Sequence, residues 1–387
     1  MEIGMIQGKI DPIVEKKRIH LLDNVRGLAL IAILILHCVE HFSLFVFPAA
    51  GEAGSLPTDD LIVHVAFLLF FGKAHGIFAF LFGVSYHIQE QNNRRKGIPH
   101  RSRMIKRMAW LFVFGIFHGL FYPGDILCLL AMFWMLLLLI GRTGTRALLV
   151  IATILFLQPL LLMEFVFDAG RSSFGETNWE RLIGSLRDDG FLQLIANNLV
   201  NNRLIEWSLG FSSGRIFQLG AWMLLGIVAA RNHYFDRDRI PVRSDRLLFG
   251  SAFIGYLILA FSIDDPAMAD IAARWKETLM VAIYVSGAML IARAWQKLNE
   301  PTIIAKYGRM SLTNYVGQGV IGSILFYGYG ASLYQLGATF SLLIAFVVLA
   351  LQFAFCWWWS RKNDCGPLEK LWADLVDGDR RRITMRT

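Results

Sequence analysis

Charged residues are scarce in this chain: Asp, Glu, Lys and Arg account for 18% of its 387 residues. Hydrophobic residues account for 55% and fall into long runs, and the mean hydropathy is +0.49. A soluble globular domain of this length does not need so apolar a composition. Runs of about 20 apolar residues have the length that crosses a bilayer as a helix. The composition therefore excludes an ordinary soluble domain and predicts an all-α, polytopic integral membrane protein, folded as a helical bundle.

Cysteine is also scarce, and its spacing excludes the usual metal and disulfide frameworks. No CxxC pair and no HExxH motif occurs, and His37 and His41, four residues apart, have no evident third ligand in the sequence. We therefore predict no metal site. The four cysteines are scattered, three of them in apolar runs: Cys38, Cys128, Cys356 and Cys365.

Targeting and nucleotide-binding signals are missing as well. The first twenty residues are polar, with Lys16, Lys17 and Arg18, and no apolar core precedes the first apolar run. We therefore expect no cleaved signal peptide. No internal repeat, low-complexity tract or nucleotide-binding glycine loop is found. The formal net charge of +8 is explained by basic cytoplasmic loops, so no nucleic-acid partner is predicted.

The apolar runs predict about ten membrane spans. A further apolar segment, Asp60 to Phe71, precedes the second span and is predicted to be a helix at the membrane interface. The spans are predicted at residues 25–47, 70–89, 105–122, 125–141, 147–167, 207–230, 247–263, 277–295, 310–328 and 337–359.

The loops between these spans alternate in charge. Both termini and one alternating set of loops carry 30 Lys and Arg residues, whereas the other set carries 8. Because cytoplasmic loops are enriched in Lys and Arg, both termini are predicted to be cytoplasmic, which requires an even number of spans. The transmembrane domain is predicted at residues 1–360, with short amphipathic helices on the outer face in the loop 168–203. Residues 361–387 are predicted to form a cytoplasmic tail with a short amphipathic helix after a Gly-Pro start.

The first span carries polar residues on one helical face. Because an α-helix turns about 100° per residue, His37 returns to within about 20° of Arg26, some 16 Å farther along the axis. Asp23 and His41 lie near the same line, and Glu40 lies beside it. Charges inside a membrane helix are expensive and normally face the protein interior. This face is therefore the first candidate for function.

Five segments in order resemble a known family of bacterial membrane proteins, the YeiB family, also called domain of unknown function four-eighteen. They are Asp23 to Leu30, Ile77 to Gly83, Phe114 to Leu127, Tyr307 to Gln318 and Gly366 to Trp372. The resemblance covers essentially the whole chain. It implies a location in the bacterial cytoplasmic (inner) membrane.

The chain departs from the family pattern at Leu130, where members often carry Tyr, and at Lys370, where Trp is usual. The spacing of Arg26 and His37 is more distantly similar to that of acyltransferase-three type membrane enzymes. The family is also thought to share a superfamily with heparan-α-glucosaminide N-acetyltransferase. The resemblance implies a ten-helix acyltransferase. It would move an acyl group from cytoplasmic acyl-CoA, with acetyl-CoA as the favoured donor, to a hydroxyl or amine acceptor at or across the membrane.

Acyl transfer from a thioester needs a base, and His37 suits this role because imidazole titrates near neutrality. Glu40 or Asp23 would tune its basicity or fix its tautomer. Arg26 would grip the phosphates of CoA, one pantetheine arm away from His37. The alternative is that Arg26 only anchors the helix and that His37 is a hydrogen-bonded core residue.

A second set of candidates also has structural explanations. His118 and Asp125 bracket a turn, and Asp125 either caps the following helix or, with His118, serves catalysis. The basic residues near 94–107 are topology determinants or bind CoA phosphates. The cofactor-binding candidates in this segment are Arg94, Arg95, Arg101 and Arg103; the substrate-side candidates are His41, Arg215, Asn314 and Gln318, for which helix packing is the alternative.

Two other functions stay open at this point. One is transport or export of a small or lipidic solute, and the other is the role of a non-catalytic membrane scaffold. The sequence does not identify the acyl group or the acceptor, which is a glycan, a lipid or a small molecule. It also leaves the oligomeric state open between a monomer and a homodimer.

Overall fold

The fold is described from a computed structural model of the chain. It describes residues 20–49, 51–140, 143–159, 174–235, 241–262, 269–295, 300 and 302–384. Regular structure in these ranges is helical throughout, with no strand. The predicted all-α class is thereby confirmed.

The helices are numbered here in chain order. They are α1 His20–Val39, α2 Asp59–Phe70, α3 Lys73–Arg95, α4 His100–Phe121, α5 Leu127–Ile140, α6 Thr145–Phe156, α7 Phe174–Asp188, α8 Phe191–Leu199, α9 Asn201–Ser212, α10 Arg215–Arg231, α11 Val242–Ser262, α12 Ala269–Ala294, α13 Ile303–Arg309, α14 Ser311–Phe326, α15 Ala338–Trp359 and α16 Pro367–Thr384.

Six helical segments in the described ranges are long and apolar enough to cross a membrane. A seventh exists only if α9 and α10, which meet at a 72° bend, count as one broken span. The predicted span at 207–230 is therefore not one straight helix. The chain is a multi-pass membrane protein, while the count of ten and the sides of the termini stay predictions. The six segments are His20–Val39, Asp59–Arg95, His100–Phe121, Val242–Phe261, Ile271–Ala294 and Ala338–Trp359.

Several segments outside the predicted spans were expected to be helical, and the structure has helices there. The interfacial segment is α2, and the long loop contains α7, α8 and the start of α9. The tail forms α16, which begins directly after Gly366 as the Gly-Pro start predicts. Residues 160–173, which include the end of the predicted span at 147–167, lie outside the described residues.

The first span ends earlier than predicted. Helix α1 stops at Val39, and the chain then turns, with positive φ at His41, Phe42, Ser43 and Phe45. Such a run is unusual for residues other than glycine, so it needs tertiary support. The Tyr327 hydroxyl donates to the Phe42 carbonyl at 2.9 Å and supplies part of that support. The prediction that one helix carries both His37 and His41 is wrong for this reason.

Helices α3 and α10 begin in the same way and run side by side. Each follows a glycine in the left-handed conformation, Gly72 and Gly214, both with φ of 74°. A basic residue comes next, Lys73 or Arg215. Glycine adopts this φ without the steric penalty of a Cβ atom, which allows the preceding helix to end and the new one to leave at an angle.

The two helices also cross at two glycines in a reciprocal way. A Cβ atom at Gly83 of α3 would lie 2.8 Å from the carbonyl carbon of Met223, and one at Gly226 of α10 would lie 3.0 Å from that of Phe80. Each glycine thus rests on the residue three positions before the other glycine. Small residues allow membrane helices to approach this closely. The crossing fixes the two helix starts relative to each other.

The bundle has two distinct ends. We call the end where α1 begins the basic end, because α3 finishes there at Arg95 and α4 starts there at His100. We call the opposite end the cavity end, because the cavity described in the next subsection lies there. Helix α1 finishes at the cavity end, and α3, α10 and α12 all begin there.

The tail helix α16 is tied to the basic end by specific contacts. The Trp372 indole donates to the Arg107 carbonyl at 2.9 Å, and the Arg107 guanidinium lies 3.7 Å from the centre of the Trp372 ring. Glu369 accepts the backbone N–H groups of Leu312 and Thr313 at 2.7 and 3.2 Å and the Thr313 hydroxyl at 2.6 Å. The carboxylate of one helix therefore caps the start of another, α14.

Replacing Glu369 by Ala is expected to destabilise the bundle by about 2 kcal/mol, because charged acceptors of backbone N–H groups are among the stronger hydrogen-bond partners. Thermal unfolding of the detergent-solubilised protein measures this. Lys370→Ala, the exposed neighbour on the same helix, is the control and should change little. Equal melting of the two variants would show that the cap contributes nothing.

Candidate active site

A cavity of about 1050 Å³ lies at the cavity end of the bundle. Its wall is built from the end of α1, the start of α3, the turn between α4 and α5, the bend between α9 and α10, and the first turns of α12. The two left-handed glycine starts and the 72° bend therefore shape one common space. Its polar lining residues include Glu40, His75, Tyr122, Glu206, Arg215 and Glu277.

His37 lies directly behind this wall. It is 2% exposed, and its Nε2 atom is 3.4 Å from the Tyr122 hydroxyl and 3.9 Å from Oε1 of Glu40. Its ring centre is 4.9 Å from that of Tyr122 and 6.1 Å from that of His75. The imidazole is thus within hydrogen-bond distance of one cavity-lining hydroxyl group and within ion-pair distance of one cavity-lining carboxylate.

Tyr122 connects His37 to the cavity. Its hydroxyl lies 3.2 Å from the hydroxyl of Ser43, and both residues line the cavity. The Tyr122 side chain follows the last turn of α4, where the backbone becomes extended before Pro123 and Gly124. A proton taken from a molecule in the cavity can therefore reach His37 across one hydroxyl group.

Three of the cavity's carboxylates interact with one guanidinium. Arg215 interacts electrostatically with Glu40, Glu206 and Glu277, and it stacks 4.3 Å from the centre of the Phe71 ring. Glu277 also pairs with Arg274 at 2.7 Å. Arg215 was predicted on the substrate side from its position among apolar residues, and the structure places it in the cavity wall.

His118 and Asp125 form a second buried pair. His118 Nδ1 lies 2.9 Å from Oδ1 of Asp125, and both residues are at least 97% buried. Asp125 also accepts the backbone N–H groups of Leu127 and Cys128. It therefore caps α5, which is the first of the two roles that the sequence offered for it. Asp125 lines the cavity, but His118 does not. The pair also lies next to Tyr122, with the ring centres of His118 and Tyr122 5.9 Å apart.

Arg26 and Asp23 lie at the other end of α1. Arg26 donates to the Ser85 hydroxyl of α3 at 2.9 Å and lies 3.5 Å from Asp23. Since His37 also faces α3 through His75, the predicted shared face of Arg26 and His37 is present in the structure.

The sequence analysis placed Arg26 one pantetheine arm away from His37, but no open passage joins the two side chains in the described part of the chain. Leu30 and Ile33 fill this face between them, both 0% exposed and packed in the main hydrophobic core. On α1 the cavity extends no deeper than Leu36. The helical spacing that puts Arg26 and His37 on one face also puts Leu30 and Ile33 on that face, between the two polar residues.

The basic residues of α3 and α4 lie at the basic end, remote from the cavity wall. Arg94 pairs with Glu90 at 2.7 Å, and Arg103 pairs with Asp377 of the tail helix at 2.5 Å and with Asn93 at 2.7 Å. Arg95 and Arg101 are exposed. Arg103 therefore ties the tail helix to this basic surface.

His41 lies outside the cavity wall. Its Nδ1 atom is 2.8 Å from the Val46 carbonyl and its Nε2 atom is 2.8 Å from the Ser341 hydroxyl, so both ring nitrogens are engaged. The ring stacks on Phe326, with centres 5.2 Å apart. His41 thus joins the turn after α1 to α14 and α15.

Asn314 and Gln318 also lie away from the cavity wall, in a buried hydrogen-bond network. The Gln318 amide donates to the Tyr307 hydroxyl at 2.8 Å, and Tyr307 donates to Gln352 at 2.7 Å. Asn314 donates to the Tyr307 carbonyl at 3.1 Å and accepts from Gln352 through its own carbonyl. The network connects α13, α14 and α15, which is the packing role that the sequence left open.

Sequence reasoning did not place several residues of the cavity in a site. Tyr122, Glu206, Arg274 and Glu277 all line it, as does His75. Arg274 and Glu277 stand three residues apart at the start of a predicted span, a spacing that favours pairing on a helix. Charges at the ends of apolar runs were the available signal, but only the tertiary fold brings four separate ends together.

Comparison with known proteins finds one matching family model and relatives that are similar over nearly the full length of the chain. The family described as protein of unknown function (DUF418) matches residues 229–379. The uncharacterized protein YxaH of Bacillus subtilis (strain 168) is 26% identical, covering 95% of this chain and 96% of YxaH. No solved structure matches.

A second relative is YeiB, an uncharacterized protein of Escherichia coli (strain K12). It is 28% identical, covering 92% of this chain and 95% of YeiB. An uncharacterized 39.9 kDa protein of Bacillus acidopullulyticus is 32% identical over 33% of the chain. Together, the domain match and the similarity along nearly the full chain confirm the predicted resemblance to the YeiB-type DUF418 family.

Proposed function

We propose that this protein is an acyltransferase of the bacterial cytoplasmic membrane, with ten spans and both termini in the cytoplasm. The strong Lys and Arg bias of one set of loops supports this orientation. The cavity then opens on the extracytoplasmic side and receives the acceptor. The observation that carries the proposal is the contact of His37 with Tyr122, which joins a buried imidazole to a polar cavity.

His37 acts as the general base in this scheme. The acceptor hydroxyl or amine gives up a proton through Tyr122 to Nε2 of His37, and the freed oxygen or nitrogen attacks the thioester carbonyl. A bond forms from the acceptor to the acyl carbon, the C–S bond breaks, and the CoA thiolate takes the proton. Glu40, 3.9 Å from His37, stabilises the transient imidazolium.

The donor approaches from the basic end. Arg26 and the basic residues of α3 and α4 would bind the phosphates of acyl-CoA, with acetyl-CoA as the favoured donor. Because Leu30 and Ile33 fill the space between Arg26 and His37, the pantetheine arm reaches His37 only after these side chains move aside. Donor binding therefore includes a separation of α1 from α3 along this face.

Transport of a small polar solute is the second candidate function. A specific observation favours it: the cavity is lined by a broken helix pair and is closed toward the basic end by packed apolar residues. Discontinuous helices and a one-sided cavity are typical of secondary transporters. Transport needs the same cavity but no acyl chemistry.

One experiment separates the two functions. Purified protein is reconstituted in liposomes with acetyl-CoA and a set of small alcohols, amines and bacterial lipid extract, and release of free thiol is followed. Acyl transfer predicts acceptor-dependent thiol release. Uptake of the unmodified solute without thiol release, together with no binding of acetyl-CoA by calorimetry, would overturn the proposal and favour transport.

Replacing Tyr122 by Phe is expected to lower acyl transfer by about 10- to 100-fold with little change in acetyl-CoA binding, because the group between acceptor and base is lost. The rate of thiol release at saturating donor measures this. Tyr256→Phe on α11, outside the cavity wall, is the control. An unchanged rate in Tyr122→Phe would exclude the relay.

A further inference from the structure

The cavity lining has more carboxylates than guanidinium groups, since Glu40, Asp125, Glu206 and Glu277 line it together with Arg215 and Arg274. Glu40 and Glu206 both lie in the field of Arg215, and Arg215 also interacts with Glu277. Glu277 has its own cations, since it pairs with Arg274 at 2.7 Å and interacts with Lys73. Glu40 and Glu206 are therefore two carboxylates that share part of one guanidinium.

These two carboxylates have unused capacity to accept hydrogen bonds. Glu40 is 4% exposed and lines the cavity, and its nearest ion-pair partner within the described residues is His37 at 3.9 Å. Glu206 interacts with the Ser43 hydroxyl, while its Oε1 atom is buried without a hydrogen-bond partner. Buried acceptors without partners are expensive, so a ligand that donates hydrogen bonds here is favoured.

Aromatic rings also line the cavity. Tyr122, Trp179, Trp207 and Trp222 line the same cavity. The faces of Trp and Tyr rings attract cations, and carboxylates beside such rings bind ammonium groups more tightly than neutral groups.

We propose that the cavity selects a ligand with an ammonium group, held by Glu40 and Glu206 against the aromatic wall. This inference rests on the proposed function and deepens it, because it makes the acceptor an amine rather than an alcohol. The bound ammonium releases one proton to water, and its second proton passes to His37 as the nitrogen attacks the thioester carbonyl. An amide bond forms, the C–S bond breaks, and the proton on His37 goes to the leaving thiolate.

A matched series of probes tests the selection without any need for turnover. The ligands 2-phenylethylamine, 2-phenylethanol and 3-phenylpropionate have the same ring and nearly the same length but carry a cation, a neutral group or an anion at pH 7. Quenching of tryptophan fluorescence in the purified full-length protein gives each Kd. We expect the amine to bind at least tenfold more tightly than the alcohol and the anion to bind most weakly. Equal Kd values for amine and alcohol would overturn the inference.

Variants locate the selection in the cavity. Glu206→Gln and Glu40→Gln should each reduce the preference for the amine over the alcohol by about tenfold, while the Kd of the alcohol stays within about twofold. Glu52→Gln removes an exposed carboxylate at the cavity end, outside the cavity wall, and should leave the preference intact. A preference that survives both cavity substitutions overturns the assignment to Glu40 and Glu206.

Failure of this inference can be distinguished from failure of the proposed function. Preferential binding of the amine without thiol release from acetyl-CoA would support the inference and overturn acyl transfer. Thiol release with the alcohol as acceptor, and no preference for the amine in binding, would support acyl transfer and overturn the inference.

Discussion

Replacing His37 by Gln is expected to lower the rate of acyl transfer by about 10²- to 10⁴-fold, the usual contribution of a positioned general base. Gln keeps a polar group near the Tyr122 hydroxyl but has no basic nitrogen, so the acceptor cannot lose its proton to this position. Binding of acetyl-CoA should change little, because His37 lies at the opposite end of α1 from Arg26. Acceptor-dependent thiol release from acetyl-CoA measures the rate, and calorimetry measures donor binding.

A matched control separates loss of the base from a general effect of removing an imidazole. His64 lies on α2, is exposed, and has Nδ1 2.6 Å from the Asp60 carbonyl one turn earlier. His64→Gln should keep the full rate. If His37→Gln transfers acyl groups as fast as His64→Gln while both variants melt like the native protein, His37 is a core residue and not the base.

Helix α1 shows which side-chain positions the helical spacing of the sequence could predict. The 100° rotation per residue correctly predicted that Arg26 and His37 share a face, because α1 is regular from His20 to Val39. The same rule failed for His41, since it assumes that the helix continues. The helix stops where Tyr327, Ser341 and Tyr122 bind the turn after Val39. All three partners are distant in sequence, so no local signal marked the end.

The cavity itself was beyond prediction from spacing. Its wall takes Glu40, Tyr122, Glu206, Arg215 and Glu277 from five separate segments of the chain. The sequence singled out Glu40 and Arg215, each with a packing or pairing role as the alternative, and it did not single out Tyr122, Glu206 or Glu277. The functional interpretation depends on their meeting at one end of the bundle. The packing of α3 on α10 at Gly83 and Gly226 positions two of the helix starts in this wall, and composition alone does not show the importance of these two glycines.

Replacing Gly83 by Ala is therefore expected to have the largest effect on stability, a loss of about 3 kcal/mol, and to abolish ligand binding in the cavity. The added Cβ would lie 2.8 Å from the carbonyl carbon of Met223 and 3.0 Å from its Cα atom. These are backbone atoms of α10, so no side-chain rotation relieves the contact and the two helices must separate. Thermal unfolding of the solubilised protein gives the change in stability, and tryptophan quenching by 2-phenylethylamine gives the change in binding.

The same substitution at Gly250 of α11 is the matched control. A Cβ atom there has no neighbour within 4 Å among the described residues, so Gly250→Ala should be neutral or stabilise the helix by up to about 1 kcal/mol. Both changes add one methyl group to the interior of a helix, and the predicted difference of about 3 to 4 kcal/mol comes from steric overlap alone. If the two variants melt at the same temperature, the close crossing of α3 and α10 does not hold the cavity together. If Gly83→Ala is strongly destabilised and also loses binding, the cavity depends on the crossing that positions Lys73 and Arg215 at the starts of the two helices.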